Sequence, residues 1–167
     1  IHSYSGELLW LKIMVFLDFL SVALVVPLLS SYFRDVGVDS KLYAYISSSY
    51  QISQLLGGVV IGAMSDSLSK GTILLFSFIG SAISYLMVGL AKSPMLLFGS
   101  RVVVGLVKQT MSVSTSKIVE ITAGDSAARD RELSQNTAIM TFSFVVGPTL
   151  GSLLYKYDPR LPCVIAA

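Results

Sequence analysis

Charge is scarce in this sequence, and two chemically versatile residue types are almost missing. Only 13% of the 167 residues are Asp, Glu, Lys or Arg, against roughly 25% in ordinary soluble domains. Histidine occurs once, at His2, and cysteine once, at Cys163. A single cysteine excludes a disulfide framework or a thiolate metal cluster within one chain. A single histidine at the start of the sequence excludes a histidine-based metal site or triad, so no metal and no cofactor is expected. No HExxH, GxSxG or P-loop is present, and the chain is not read as an enzyme. The formal net charge is only +2 and no Lys/Arg-rich run exists, which argues against nucleic acid as a partner. The first apolar run has few positive charges before it and further apolar runs after it, unlike a cleaved signal peptide.

What the sequence does have is apolar length. It is 53% hydrophobic with a mean hydropathy of +0.73, so most of its surface must face lipid. The spacing predicts an all-α, multi-pass membrane protein with spans at about 8–29, 42–64, 72–91, 95–116 and 134–155, and the start of a sixth at 161. Each full span is long enough for about 30 Å of hydrocarbon. Residues 117–133 carry seven charged side chains and read as a solvated linker. Lys and Arg are divided almost evenly between odd and even loops, so charge asymmetry does not orient the chain.

The ionisable groups inside spans carry the chemistry, because each costs at least about 2.5–3.5 kcal/mol to insert and needs a partner or water. Asp18 lies ten residues into its span, near the midplane at about 1.5 Å per residue. Arg101 and Lys108 share one face of the fourth span, continued by Ser112 and Thr115, with Gly105 beside it. Such a stripe lines a wet cavity rather than facing lipid. By depth Asp18 falls between Arg101 and Lys108 and can pair with either. One reading is a structural ion pair; the other is a coupling site whose protonation changes between two states. Lys12, near a span end, is expected to snorkel to the interface.

In the second span Ser47, Tyr50, Gln51, Gln54 and Gly58 recur at helical spacing. That stripe serves either hydrogen bonding between helices or substrate lining. Gly58 and Gly62 form a GxxxG expected to admit a close helix. Ser143, Gly147, Pro148 and Gly151 in the fifth span read as a packing seam, with a bend at the proline.

These residues resemble the N-terminal half of a major facilitator superfamily transporter, in the drug:proton antiporter branch, over essentially the whole chain. Leu17-Asp18, Pro27 and Arg34-Asp35 are similar to the first-helix motif of tetracycline:proton antiporters. Gly62, Asp66 and Lys70 match the loop signature between helices two and three, with Ser67, Ser69 and Gly71 replacing its usual base, glycine and second base. Arg101-x-x-x-Gly105 matches the fourth-helix motif and Gly147-Pro148-x-x-Gly151 the fifth. The Phe16–Ser30 run, Ser48-Ser49-Tyr50 and Lys108-Gln109-Thr110 are worded most like eukaryotic members.

The resemblance implies a cytoplasmic N-terminus and a proton-coupled carrier of a small organic solute, working by alternating access with a C-terminal half of the same carrier. Its implied site places Asp18 and Arg101 as the coupling pair and Lys108 as a second cavity charge. Tyr50, Gln51, Gln54 and Ser112 line the substrate cavity. Gly62, Asp66 and Lys70 form a cytoplasmic latch, while Gly147, Pro148 and Gly151 seal the seam with the other half. Ser84 stands where tetracycline antiporters carry an acid, so a metal-chelated cationic drug is not the expected substrate. The rival is a non-transporting receptor or scaffold with a transporter fold, compatible with the altered loop signature. A channel lacks support, since no ring of repeated pore charges occurs.

Overall fold

Apolar runs of this length have one way to satisfy their backbone in lipid without a closed barrel, and that is the α-helix. The computed structural model describes residues 2–65 and 67–167, with side chains from residue 6 onward except at 65. Among the described residues it is helical with no strand. The helices are α1 (His2–Val25), α2 (Leu29–Asp35), α3 (Ser40–Ser65), α4 (Lys70–Gly89), α5 (Pro94–Val107), α6 (Thr110–Ile121), α7 (Ser126–Tyr157) and α8 (Leu161–Ala166). A 3₁₀ turn, Val26–Leu28, joins α1 to α2 around Pro27. Proline lacks the N–H that a continuous helix needs, so the first span tightens there and resumes.

Among the described residues, four helical segments are long and apolar enough to cross a membrane: Gly6–Asp35, Lys70–Gly89, Pro94–Ile121 and Ser126–Tyr157. The chain is an integral, multi-pass membrane protein. α3 has 26 residues, about 39 Å at about 1.5 Å per residue. It is diluted by the polar run 47–51 and by Ser53 and Gln54.

Local chemistry fixes the ends. α2 closes on a Schellman arrangement, with Gly37 at φ 81° and bonds from Gly37 N to Arg34 O and from Val38 N to Phe33 O, both 2.9 Å. Glycine accepts that left-handed conformation without a Cβ clash. Asp39 Oδ1 accepts from Leu42 N, Ser69 Oγ from Thr72 N and Asp125 Oδ1 from Ala128 N, capping α3, α4 and α7. Each such cap contributes about 0.5–2 kcal/mol.

Two features differ from the sequence reading. The stretch expected to be a solvated linker, 117–133, is helical except around Thr122–Asp125, because α6 runs to Ile121 and α7 starts at Ser126. Its Glu132 is buried, paired at 2.5 Å with Lys12, whose ammonium also donates to Gln135 Oε1. Lys12 therefore anchors α1 to α7 instead of snorkelling. The expected continuous span 95–116 is broken at Lys108 and Gln109, between α5 and α6.

Packing follows the small residues. A Cβ on Gly105 would sit 2.6 Å from Ser53 Cβ and 2.7 Å from Tyr50 O, and one on Gly57 would strike the backbone of Leu106. These two glycines let α3 and α5 touch backbone to backbone. Gly147 and Gly151 abut Ala23 and Leu24 of α1, while Ser143 Oγ donates to Phe16 O at 3.5 Å and Ile139 O at 3.0 Å. α7 runs unbroken through the half-buried Pro148. So the seam expected against the other half is occupied, at its glycines, by α1 of this one. The expected close approach at Gly58 and Gly62 is also absent: a Cβ on Gly62 meets nothing, and one on Gly58 reaches only the Gln109 side chain at 3.6 Å. Close contact belongs to Gly57, one residue away on a different face.

Buried apolar side chains form two clusters at opposite ends of the bundle. One holds Leu24, Phe33, Ile46, Tyr85, Val88 and Leu97; the other holds Leu11, Val15, Ile73, Leu74, Val113 and Ile118. On α1, α4 and the α5–α6 pair alike, the residues between the clusters are polar and buried: Asp18, then Ser77, Ser81 and Ser84, then Ser100, Arg101, Lys108 and Thr110. That mid-bundle polar layer is where the site lies.

Candidate solute cavity and buried ion pair

Asp18 and Lys108 meet in this layer. The Lys108 ammonium donates to Asp18 Oδ1 and, at 3.4 Å, to Ser81 Oγ. The two side chains are 3% and 9% exposed, so neither charge is hydrated as it would be at a surface. Asp18 Oδ2 has no hydrogen-bond partner among the described residues. Of the two pairings open to Asp18, the structure makes the one with Lys108. The contact with Arg101 implied by the resemblance is not made, because the Arg101 head bonds elsewhere. Its Nε donates to Ser100 Oγ and its Nη2 to Ser84 Oγ, each at 3.4 Å.

The helix break explains why Lys108 can reach α1. Lys108 still donates its own N–H to Val104 O at 2.9 Å, but its backbone leaves the helical region at ψ 87°. Gln109 N then donates to Ser77 Oγ at 3.4 Å, Gln109 Nε2 to Gln54 O at 3.2 Å, and Thr110 Oγ1 lies 3.1 Å from Ser77 Oγ. Irregular backbone at membrane depth is tolerated only when buried in protein or lining a cavity, and here it does both. The hydroxyls of α4 take up what the helix releases.

A cavity of about 440 Å³ opens beside the break. All four residues expected to line it, Tyr50, Gln51, Gln54 and Ser112, do so, together with Arg101 and Lys108. The walls alternate that polar set with Phe19, Val22, Tyr43, Tyr85 and Phe144. Asp18 faces a second cavity of about 280 Å³, between α1, α4 and α8, that also touches Tyr85. The ion pair thus stands in the partition between two cavities.

Away from this layer, Lys70 Nζ bonds Glu120 Oε2 at 2.7 Å and Ser116 O at 3.2 Å, tying the start of α4 to the end of α6. Gly62 is exposed on α3, and Asp66 lies outside the described residues. Sequence reasoning missed Ser81, Ser84 and Ser100 as partners of the buried charges, and Ser77 as the acceptor for Gln109 N–H. The recurrence of Ser77, Ser81 and Ser84 every three or four residues on α4 was the available signal. Among the described residues no group of three or more His, Cys, Asp or Glu could hold a metal.

The bundle is that of a polytopic membrane protein with a polar layer at mid-depth, a broken span and a buried ion pair beside a cavity. The chain belongs to the Major Facilitator Superfamily, whose family profile matches residues 11–167. It is 30% identical over 156 residues to the tetracycline resistance protein, class C, of Escherichia coli, covering 92% of this chain and 39% of that protein. It is 27% identical over 158 residues to the class D protein of Salmonella ordonez, covering 93% and 40%. To the quinolone resistance protein NorA of Staphylococcus aureus it is 26% identical over 153 residues, covering 91% and 39%. The chain thus spans less than half the length of each of these relatives, which fits an N-terminal half of such a fold.

Proposed function

We propose that this chain is the N-terminal half of a secondary active carrier that moves a small organic solute by alternating access, coupled to protons through the Asp18–Lys108 pair. The observation that carries the reading is that pair: two opposite charges, almost fully buried, with Lys108 in the wall of a 440 Å³ cavity and Asp18 facing a second one of about 280 Å³. Holding charges at this depth costs several kcal/mol per ion before pairing. Hydrophobic replacements would fold at least as well, so the pair is read as retained for a change of state. Lys108 occupies Asp18 Oδ1 and leaves Oδ2 free. A proton held at Oδ2 neutralises the acid, weakens its grip on Lys108 and frees the two spans that the pair joins.

In this reading Tyr50, Gln51, Gln54 and Ser112 contact solute and Arg101 supplies a further charge to the cavity. Lys70, with Gly62 and Asp66, belongs to the cytoplasmic latch of the α3–α4 connection. The small solutes in the names of the tetracycline and quinolone resistance relatives support the substrate class and do not fix its member. The C-terminal half of the same carrier is the expected partner.

The test uses the full-length polypeptide in proteoliposomes under an imposed pH gradient, with pyranine reporting proton movement while a panel of organic solutes is added. Solute-dependent proton flux that disappears in Asp18→Asn is the expected result. Solute flux with no proton movement, or undiminished pH-dependent flux in that variant, refutes the coupling role. Absence of any solute flux refutes the carrier and leaves a receptor or scaffold.

A further inference from the structure

We propose that the cavity takes its solute by an anionic group, a carboxylate or its equivalent, held at Arg101. This rests on the carrier reading and specifies its substrate class.

The three buried charges of the polar layer do not balance. Asp18 is committed to Lys108, which leaves the guanidinium of Arg101 as one uncompensated positive charge. Arg101 is 6% exposed and lines the cavity, and no carboxylate pairs with it among the described residues. Its protein contacts are two long bonds to hydroxyls, Ser100 and Ser84. A guanidinium offers five N–H donors in a planar fork matched to a carboxylate. Two weak neutral bonds leave most of that fork unspent. The phenols of Tyr43, Tyr50 and Tyr85 line the same cavity as Arg101; they can hydrogen-bond an anion and do not neutralise a cation.

The broken span adds a second positive pole to the same cavity. α6 begins there with no side-chain cap and no acidic residue in its first turn. Its first intrahelical backbone bond is Val113 N to Gln109 O, and Thr110, Met111 and Ser112 line the cavity. A helix N-terminus carries roughly half a positive charge. It reinforces an anion preference that Arg101 already sets. The apolar walls, Phe19, Val22 and Phe144 among them, suit a hydrocarbon body behind the anionic head.

The experiment measures equilibrium binding to the full-length polypeptide in nanodiscs of three radiolabelled probes with one body: 4-phenylbutyrate, 4-phenylbutanamide and 4-phenylbutyl-trimethylammonium. The carboxylate is expected to bind about 10- to 100-fold tighter than the amide, the range of a charge-assisted hydrogen bond, and the ammonium weakest. Arg101→Gln should bring the carboxylate down to the level of the amide. Arg101→Lys should keep part of the preference, since charge remains and the fork is lost. Equal binding of the three probes, preference for the ammonium, a carboxylate that does not bind, or a preference that survives Arg101→Gln overturns the inference. The comparison of probes on the unaltered protein needs no variant to fold. Proteoliposome flux of the same probes separates the two readings. A carboxylate that binds preferentially and is not moved leaves the anion site and refutes the carrier. An ammonium moved in preference keeps the carrier and refutes the anion site.

Discussion

Replacing Lys108 with Met tests the central contact most sharply. The substitution keeps the length of the side chain and removes the cation bonded to Asp18, whose side chain is 3% exposed. No rescue is at hand: Arg101 is turned to Ser84 and Ser100, and Asp18 Oδ2 already lacks a partner. A buried charge left without its partner costs about 3–5 kcal/mol, so Lys108→Met should lose about that much. Asp18→Leu should lose a similar amount, because it strands the ammonium with only Ser81 Oγ at 3.4 Å. The double variant replaces both charges by apolar groups, an exchange that is often neutral or stabilising by about 1–4 kcal/mol. It should be at least as stable as the parent. The assay is reversible unfolding of the full-length polypeptide by SDS in mixed micelles, followed by tryptophan fluorescence, with the four proteins forming a double-mutant cycle. If the losses in the single variants simply add in the double, the two side chains do not interact and the ion pair is refuted. The same double variant should carry no proton-coupled flux, which separates the structural from the functional role of the pair.

Three further outcomes follow from contacts elsewhere. Gly147→Ala should destabilise the α1–α7 contact, since its new Cβ would strike Ala23 Cβ and lie 2.9 Å from the Ala23 carbonyl carbon, and Ala23→Gly should restore part of the loss by removing the first of these clashes. Gly151→Ala meets the Leu24 carbonyl instead, so no side-chain change at Leu24 should rescue it, and thermal stability of all four variants checks the contrast. Ser77→Ala removes the acceptor for Gln109 N–H and the partner of Thr110 Oγ1. It should cost about 1–3 kcal/mol and speed amide exchange at Gln109, read by hydrogen–deuterium exchange. Cys163 is fully buried, with its Cβ 2.8 Å from the position a Cβ on Gly89 would take. It should resist maleimide in the folded protein and react on unfolding, while prompt labelling of the folded protein would contradict the packing of α8 on α4.

Fold class and site residues were legible in the sequence to different depths. Apolar length alone reveals the helices, and hydroxyl and amide spacing on α3 is enough to place Tyr50, Gln51 and Gln54 on one wall. Depth counting brought Asp18 level with Arg101 and Lys108 but could not choose between them. The choice is made by the break after Val107, and a break inside an apolar run leaves no mark in hydropathy. What it does leave is composition. From Lys108 to Lys117 the chain is mostly hydroxyl, amide or charged, a run with poor helix propensity and many local competitors for backbone bonds. Glu132 was illegible for another reason. A polar stretch reads as solvated until a partner such as Lys12 is known to lie beside it, and that partner is 120 residues away.

The polar layer also explains why the family resemblance locates the site better than it assigns the roles within it. The resemblance marks Arg101 and Gly105 as a motif pair, and Gly105 is fixed by its contact with Ser53 and Tyr50. Arg101 is held by serines in place of an acid. Ser84, which the resemblance sets where tetracycline antiporters carry an acid, bonds the guanidinium together with Ser100. An acid there would neutralise Arg101 and leave the layer without net charge. A serine leaves it positive. Under the proposed anion reading, the serine that stands there is what leaves the cavity positive. Ser84→Asp should therefore erase the carboxylate preference of the cavity while leaving the Asp18–Lys108 pair in place, and probe binding together with the double-mutant cycle reads both.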